Sequence, residues 1–312
     1  MNLLPTASQE GTPKAHRCGF VALVGRSNVG KSTLLNRLVG EKLAIVSPVP
    51  QTTRHRILGV RNVTNGQIIY LDAPGFHKPH TRLNRAMLRA AVDCLEEADA
   101  IICVVDAAAG FGPGDRYMFE RLREMHTPIL LALSKIDLLS RARLLPLIDK
   151  VRTLGSFQEI IPVSALKGTQ CDVLERAVLQ LLPAHPPLYP ADYLTDQPER
   201  LLAAEMIREQ VLLQTRQEIP HVVAVVVERF AELKGGSVRV QATIYVERDS
   251  QKAIVVGKGG QRLKAIGSEA REQITRHLGR PTSVFLWVKV HPNWREDARV
   301  LERWRRAGMA SG

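Results

Sequence analysis

Two glycine-rich loops, GRSNVGKS (Gly25 to Ser32) and GKGG (Gly257 to Gly260), set backbone amides and a lysine at the start of helical patterns. Amides gathered at a helix N-terminus, with an ammonium beside them, are suited to phosphate oxygens. The first loop fills the spacing GxxxxGK[ST] between the apolar run VALVG and the amphipathic run STLLNRLVG. In that context Gly25 and Gly30 permit the tight turn, Lys31 reaches the β- and γ-oxygens of a nucleoside triphosphate, and Ser32 ligates Mg2+. The expected contact set is Gly25, Arg26, Ser27, Asn28, Val29, Gly30, Lys31, Ser32 and Thr33.

Later motifs extend this site. DAPG closes the apolar run IIYL. It places the Asp72 carboxylate to hold Mg2+ through water, and Ala73 and Pro74 lead to Gly75, whose amide can turn toward a γ-phosphate. SKID supplies Ser134, Lys135 and Asp137. The Asp137 carboxylate can accept two hydrogen bonds from guanine N1 and its exocyclic amine, donors that adenine lacks as a pair. A site built on such bonds rejects the wrong base by about 10⁴ to 10⁵, so GTP and GDP are the expected ligands. SAL (Ser164, Ala165, Leu166) follows the last apolar run and offers a backbone amide to the base O6. Between the first two motifs, SPVPQTTRHR offers Thr52 or Thr53 to complete the Mg2+ shell and bond the γ-phosphate. Loops of this kind order on GTP and relax after hydrolysis. Thr53 joins Ser32 and Asp72 as the expected metal set, and Lys31, Thr53 and Gly75 are the residues expected to act in hydrolysis. Phe76 stands where Ras-like enzymes carry a water-orienting glutamine, so slow intrinsic hydrolysis is expected. A glycine turn or a surface KxD is commonplace alone; the order of the motifs along one chain carries the reading.

The elements that must position these residues can be read from hydropathy. GFVALVG, QIIYLD, AIICVVD, PILLALS and EIIPVS are buried-strand patterns, each followed by a helical stretch. That alternation predicts an α/β fold, a mostly parallel sheet with helices on both faces. Five prolines between Leu181 and Arg200 exclude helix and central strand there and mark a connector. Beyond it the order is α, β, β, α, α, β: a helix over about 199–217, strands HVVAVVVERF and SVRVQATIYVE, two helices flanking GKGG, and strand TSVFLWVKV. A last helical stretch runs from Trp294 to Arg306. The expected division is a tail over 1–16, a nucleotide domain over 17–184, a connector over 185–198, an α+β domain over 199–306 and a tail over 307–312.

Composition bounds the partners. The 312 residues are 45% hydrophobic, enough for one large core and a smaller one. The net charge is +12, with 13 Lys/Arg against 5 Asp/Glu from Gln251 onward, whereas Pro190 to Ser250 holds 7 against 10. The positive excess of the C-terminal half therefore begins at the GKGG loop and points to a polyanion. Cys18, Cys94, Cys103 and Cys171 have no metal-ligand spacing, which fits a reducing cytoplasm. No stretch reads as a signal peptide or a spanning helix.

With these motifs in order and the α, β, β, α, α, β tail holding GKGG, the chain resembles the Era family of bacterial GTPases over about residues 17–306. The resemblance implies a type II KH domain that binds small-subunit (16S) ribosomal RNA near its 3′ end, coupled to a GTP switch that assists 30S subunit assembly. It also implies K+ as an activator held beside the phosphates by Asn28, peripheral contact with the cytoplasmic membrane face, and action as a monomer. KH modules clamp about four nucleotides by their backbone with a GXXG loop. Here that loop is Gly257, Lys258, Gly259 and Gly260. Arg262 and Lys264 add charge from the following helix, and Ile254 and Val255 are expected to line a groove for unstacked bases. GKGG is not a dinucleotide fingerprint, because no strand precedes it. Two positions depart from the family pattern: Ala73 replaces the threonine of DTPG, and Ser134 replaces the asparagine of NKxD, where a hydroxyl can make only part of the amide's bonding. The competing readings are a P-loop enzyme acting on a small molecule, against which SKID and SAL count, and an RNA scaffold with a decayed GTPase fold, against which Lys31, Ser32 and Asp72 count.

Overall fold

The computed structural model describes residues 15–75, 81–215 and 219–297. It opens with β1 (Arg17–Val24), buried on both faces as an interior parallel strand must be. The first glycine loop then feeds α1 (Lys31–Val39). Next comes a hairpin of β2 (Ile57–Val63) and β3 (Gly66–Asp72), paired antiparallel from Ile57 opposite Asp72 to Val63 opposite Gly66. The reading of five strands omitted β2. Its signal was the dipeptide Asn65-Gly66, a tight-hairpin turn in which Asn65 takes the left-handed φ of 62°.

The domain continues with α2 (Arg82–Glu97), β4 (Ala100–Asp106), α3 (Pro113–Leu122), β5 (Ile129–Ser134), α4 (Arg141–Arg152), β6 (Glu159–Pro162) and α5 (Cys171–Leu181). The sheet order is β2-β3-β1-β4-β5-β6, and only the β2–β3 pair is antiparallel. One apolar cluster, with Leu34, Leu35, Leu174 and Val178, fills the sheet face under α1 and α5. A second, with Cys94, Leu95, Met118 and Phe119, fills the face under α2 and α3. All four cysteines are buried and free.

The proline-rich connector forms neither helix nor strand, yet it does not hang free. Val60 N–H donates to Leu194 O at 2.8 Å, and Thr195 Oγ1 donates to Leu58 O at 2.6 Å. Gln67 Oε1 accepts from the amides of Leu188 and Tyr189, both at 2.9 Å. The segment thus covers the open edge of β2, whose unpaired backbone groups would otherwise need another partner.

The second domain holds α6 (Glu199–Gln214), α7 (Ile219–Val222), β7 (Ala224–Glu232), β8 (Val238–Val246), α8 (Asp249–Val256), α9 (Gln261–Leu278) and β9 (Thr282–Val290). The run HVVAVVVERF therefore divides: its start belongs to the helical turn α7, and the strand proper begins at Ala224. β8 is central, antiparallel to β7 and parallel to β9. One face of this sheet joins Ile207, Val211, Val255, Ile266 and Ile274 in the core under α6, α8 and α9. Part of the other face, Ala224, Val226 and Tyr245, packs with Leu83 and Met87 of α2 and with Trp294. Trp294 is fully buried and its indole N–H donates to Val222 O at 2.6 Å. The helix expected from Trp294 does not begin there, since residues 292–296 form turns; from residue 298 onward it lies outside the described residues.

Candidate functional site

The crossing of β1, β3 and α1 brings the nucleotide motifs together. Lys31 is buried, and its ammonium donates to Gly25 O at 3.1 Å and Arg26 O at 3.0 Å, which braces the loop around it. The Arg26 side chain turns away, with Nε 3.1 Å from Asp115 Oδ2 at the start of α3. Ser32 Oγ donates to Asp72 Oδ2 at 2.7 Å and lies 2.7 Å from Thr53 Oγ1, which itself reaches Asp72 Oδ2 at 3.4 Å. Asp72 Oδ1 is buried with no hydrogen-bond partner among the described residues. Three oxygen-bearing side chains with an orphaned carboxylate oxygen are a donor set that fits Mg2+. Burial pushes the Asp72 carboxyl above its usual range, against Lys31, Ser32 and Thr53, and burial pulls the Lys31 ammonium down, against Asp72.

Gly75 is required by close approach. A Cβ there would lie 2.8 Å from Ser27 Oγ and 2.9 Å from Ser27 N, so only a glycine lets DAPG lie against the loop. Ala73 is fully buried and its amide donates to Leu23 O at 3.4 Å. Phe76 falls outside the described residues. Asn28 takes φ 65°, a conformation asparagine tolerates, and its Nδ2 donates to Pro48 O at 2.7 Å. The cavity over these residues measures about 500 Å³ and is lined by, among others, Asn28, Lys31, Thr33, Thr53, Lys135 and Leu213.

Of the base-facing motifs, Lys135 lines the same cavity, and hydrogen bonds tie the others to the phosphate loop and to one another. Ser134 is buried, and its hydroxyl donates to Val29 O at 2.5 Å and lies 3.1 Å from Val105 O. One hydroxyl proton thus ties the SKID loop to the phosphate loop, where an amide would bring two. Lys135 Nζ donates to Asn28 O at 2.6 Å and pairs with Asp106 at 2.7 Å. Burial works against the Asp106 charge, but Lys135 and the amides of Ala108 and Ala109 outweigh it and hold that carboxyl below the usual range. Ser164 Oγ donates to Asp137 Oδ1 at 2.6 Å, which aims the carboxylate. Arg37 of α1 donates to Ala165 O at 2.8 Å and Leu166 O at 2.9 Å. Asp106 and Arg37 were missed in the sequence; Asp106 had one signal, an acid closing an apolar strand.

Thr52 and Thr53 separate. Thr52 Oγ1 donates to Val49 O at 2.6 Å and lies 2.7 Å from Ser47 Oγ, so only Thr53 faces the metal donors. The Thr52 carbonyl accepts from Arg208 of α6, whose buried guanidinium also pairs with Glu205. Glu209 accepts from Val46 N–H at 2.8 Å and from Lys42 Nζ at 2.5 Å, and Arg54 donates to Val223 O at 2.7 Å. Ile45 enters the second domain's own apolar cluster. The loop carrying Thr53 is therefore clamped to α6. This explains why α6 buries the charged side chains of Glu205, Arg208 and Glu209.

At the second glycine loop, Gly257, Gly259 and Gly260 take φ of 72°, 57° and 78°. Above Gly259 and Gly260 lies open space, so a backbone could approach the amides closely. Lys258 and Lys264 are exposed. Two expectations are corrected. Val255 is fully buried in the core and cannot line a groove, because the helical turn before GKGG points it inward. Arg262 turns back to cap α8, donating to Ile254 O, and is half-buried. The groove actually runs between α9 and β9, about 410 Å³, lined by Gly260, Leu263, Lys264, Arg271, Val284 and Phe285 among others. Its β9 side is the consecutive run Val284, Phe285 and Leu286, open because β9 is an edge strand.

Comparison with known proteins agrees with this geometry. The family described as 50S ribosome-binding GTPase matches residues 20–135, and the KH domain family matches residues 218–295. The chain is 48% identical to GTPase Era of Heliobacterium modesticaldum, across 91% of this chain and 95% of that one. It is 46% identical to GTPase Era of Lacticaseibacillus paracasei, across 92% and 96%. A crystal structure of Era in complex with MgGDPNP and nucleotides 1506–1542 of 16S ribosomal RNA superposes with a TM-score of 0.89 at 42% identity, covering 92% of this chain and 98% of that one. A point variant of Aquifex aeolicus Era bound to GDP.AlF4- gives the same score at 41% identity and the same coverage. With two domains matched in order and nearly the full length shared, the chain belongs to the Era family of GTPases.

Proposed function

We infer that this GTPase is a switch that binds 16S ribosomal RNA near its 3′ end through the GKGG loop and the α9–β9 groove, and assists 30S subunit assembly. The observation that carries the reading is the clamp between the Thr53 loop and α6, because it makes one element answer to both nucleotide and KH domain. The proposed division runs 17–184 for the GTPase domain, 185–198 for a docked connector and 199–306 for the KH domain.

In the nucleotide site, Ser32 and Thr53 would hold Mg2+ directly and Asp72 through water, and bound Mg2+ neutralises charge on the β- and γ-phosphates. Lys31 and the loop amides from Ser27 to Thr33 hold phosphate oxygens, Gly75 presents its amide to the γ-phosphate, and Asp137 reads guanine. The Asn28 Oδ1 is not used by the bond to Pro48, which supports a place for K+ beside the phosphates. The chain acts as a monomer in the cytoplasm. Peripheral contact with the membrane rests on the family resemblance alone; among the described residues no helix is long and apolar enough to cross a membrane.

Two variants of the full chain test the division of labour. Gly259→Asp/Gly260→Asp blocks and repels phosphates at the loop, so RNA retention in filter binding should collapse while phosphate release stays at its basal rate. Lys31→Ala should lose GTP binding and phosphate release. With about four phosphates engaged at about −0.7 each, log affinity should fall with log salt at a slope near −3. RNA affinity unchanged in the Asp pair overturns the KH assignment.

A further inference from the structure

The polar side chains that line the cavity over the phosphate loop are mostly engaged with the protein itself. Lys31 is bonded to Gly25 O and Arg26 O, Ser32 to Asp72, Thr53 to Ser32 and Asp72, and Lys135 to Asn28 O and Asp106. Three lining side chains, Ser27, Thr33 and Gln51, make no hydrogen bond among the described residues. Their places differ. Thr33 follows the metal-facing Ser32 in the first turn of α1, and Gln51 belongs to the loop that carries Thr53. Ser27 stands against DAPG. The three atoms nearest to where a Gly75 Cβ would lie all belong to Ser27, and its Oγ is the nearest, at 2.8 Å. A free hydroxyl of the phosphate loop therefore faces the turn whose glycine amide is assigned to the γ-phosphate.

That turn is also where the site lacks a group. Transfer of a phosphoryl group to water needs the attacking oxygen held in line with the bond that breaks. Residue 76 is a phenylalanine, and Asp72 is committed to Ser32 and Thr53, so DAPGF offers no side chain to hold water. Lys31 and the N-terminus of α1 are on the leaving-group side of the γ-phosphate in the proposed arrangement. Water then enters on the side where DAPG and the Thr53 loop close, and the Ser27 side chain is the part of the phosphate loop that faces DAPG. A serine hydroxyl has two acceptor lone pairs, enough to fix the direction of one water, and is far too weak a base to deprotonate it.

We propose that Ser27 is a catalytic residue of GTP hydrolysis, its hydroxyl oxygen accepting a hydrogen bond from the attacking water. The water oxygen forms the new bond to the γ-phosphorus. The bond from that phosphorus to the bridging oxygen breaks, its electron pair stays on GDP, and the proton lost by the water leaves with the phosphate. Ser27 orients the water and removes no proton. The proposal rests on the assignment of the cavity to the phosphates of GTP, and it gives the Ser27 side chain a part beyond that of its backbone amide.

The test uses the full chain in single-turnover phosphate release, together with titrations of GDP, a non-hydrolysable GTP analogue, and GDP with aluminium fluoride, which mimics the phosphoryl group in transfer. Ser27→Ala should slow release about tenfold and weaken GDP with aluminium fluoride by about the same factor. GDP alone and the GTP analogue should bind as they do to the unmodified chain, since the hydroxyl acts only on the water. Ser27→Gly should give the same pattern, which assigns the loss to the missing hydroxyl and not to a methyl pressed on Gly75. An unchanged rate in both variants overturns the proposal. So does GDP affinity falling in step with the rate, which marks a structural role in the loop, and so does a slower rate with binding of GDP and aluminium fluoride unchanged. A full rate in Ser27→Gly beside a slow one in Ser27→Ala overturns it as well, since the effect is then steric. Failure of the phosphate assignment itself reads differently: Lys31→Ala would then bind the GTP analogue normally.

Discussion

Arg208 lies in the KH domain, yet the structure makes it a positioning residue for the GTP site. Its guanidinium is fully buried, paired with Glu205 and donating to the carbonyl of Thr52, one residue from the hydroxyl that meets Ser32 and Asp72. Arg208→Met keeps the stem's volume and removes the charged donor. A hydrogen bond from a charged group is worth about 1.5–3 kcal/mol. The lower end applies here, because Glu209 at Val46 and Arg54 at Val223 O still hold the loop on either side. Burial works against the Glu205 charge, and with Arg208, its main counterion, removed, the Arg54 guanidinium is the charge left to help keep that carboxyl ionised. The loss should fall on GTP alone, because Thr53 is proposed to meet a phosphate that GDP lacks. Titration of the full chain should show a GTP analogue bound about tenfold more weakly and GDP bound as before. Adding Glu205→Gln should cost less than the sum of the two single changes, since the two side chains form one unit. Equal weakening of GTP and GDP, or none, would refute the idea that α6 sets the loop.

Three further outcomes follow from the same geometry. Ser134→Asn should tighten GDP several-fold, about 0.5–1.5 kcal/mol for the added bond to the phosphate loop, and leave rejection of adenine nucleotides unchanged in competition titrations. Phosphate release should be faster in potassium than in sodium chloride, and Asn28→Ala should erase the difference; equal rates in the unmodified chain remove the ion from the proposal. Burial lowers the His55 pKa from 6.5 to about 4, with Glu205 opposing and Arg208 and Arg54 assisting. A depressed pKa favours the neutral form, so this stabilisation is complete above pH 6.5 and is lost as pH falls through 4, up to ~3 kcal/mol. Thermal midpoints of His55→Gln should therefore fall less steeply between those pH values than those of the unmodified chain.

The nucleotide site was legible because its chemistry is local. Gly25 to Ser32, Asp72 to Gly75 and Ser134 to Asp137 each lie within one turn at the end of a strand, and spacing alone reports such turns. What escaped depends on partners far along the chain. Glu205, Arg208 and Glu209 lie within the helix expected over about 199–217, and nothing near them in sequence says that residues 42–54 will bury them. Val255 looked available because helical phase is hard to fix over the eight residues of α8. β2 was passed over because its arginine and asparagine blur the apolar run, although the Asn65-Gly66 turn announced it.

Ile45 has a wider consequence. A residue of the segment that leads into the Thr53 loop sits within the KH domain's apolar cluster, beside Ala203, Ile207 and Val211. The two halves of the chain are therefore not interchangeable cassettes. A KH domain excised at the connector would carry an open socket, and one transplanted from a relative would have to accept this loop's side chain as its own. Substitutions at Ile45 must fit a socket that the other domain builds. Chimeras between family members should keep their fold and their switching only when residues 42–54 travel with the KH domain rather than with the GTPase domain that encodes them.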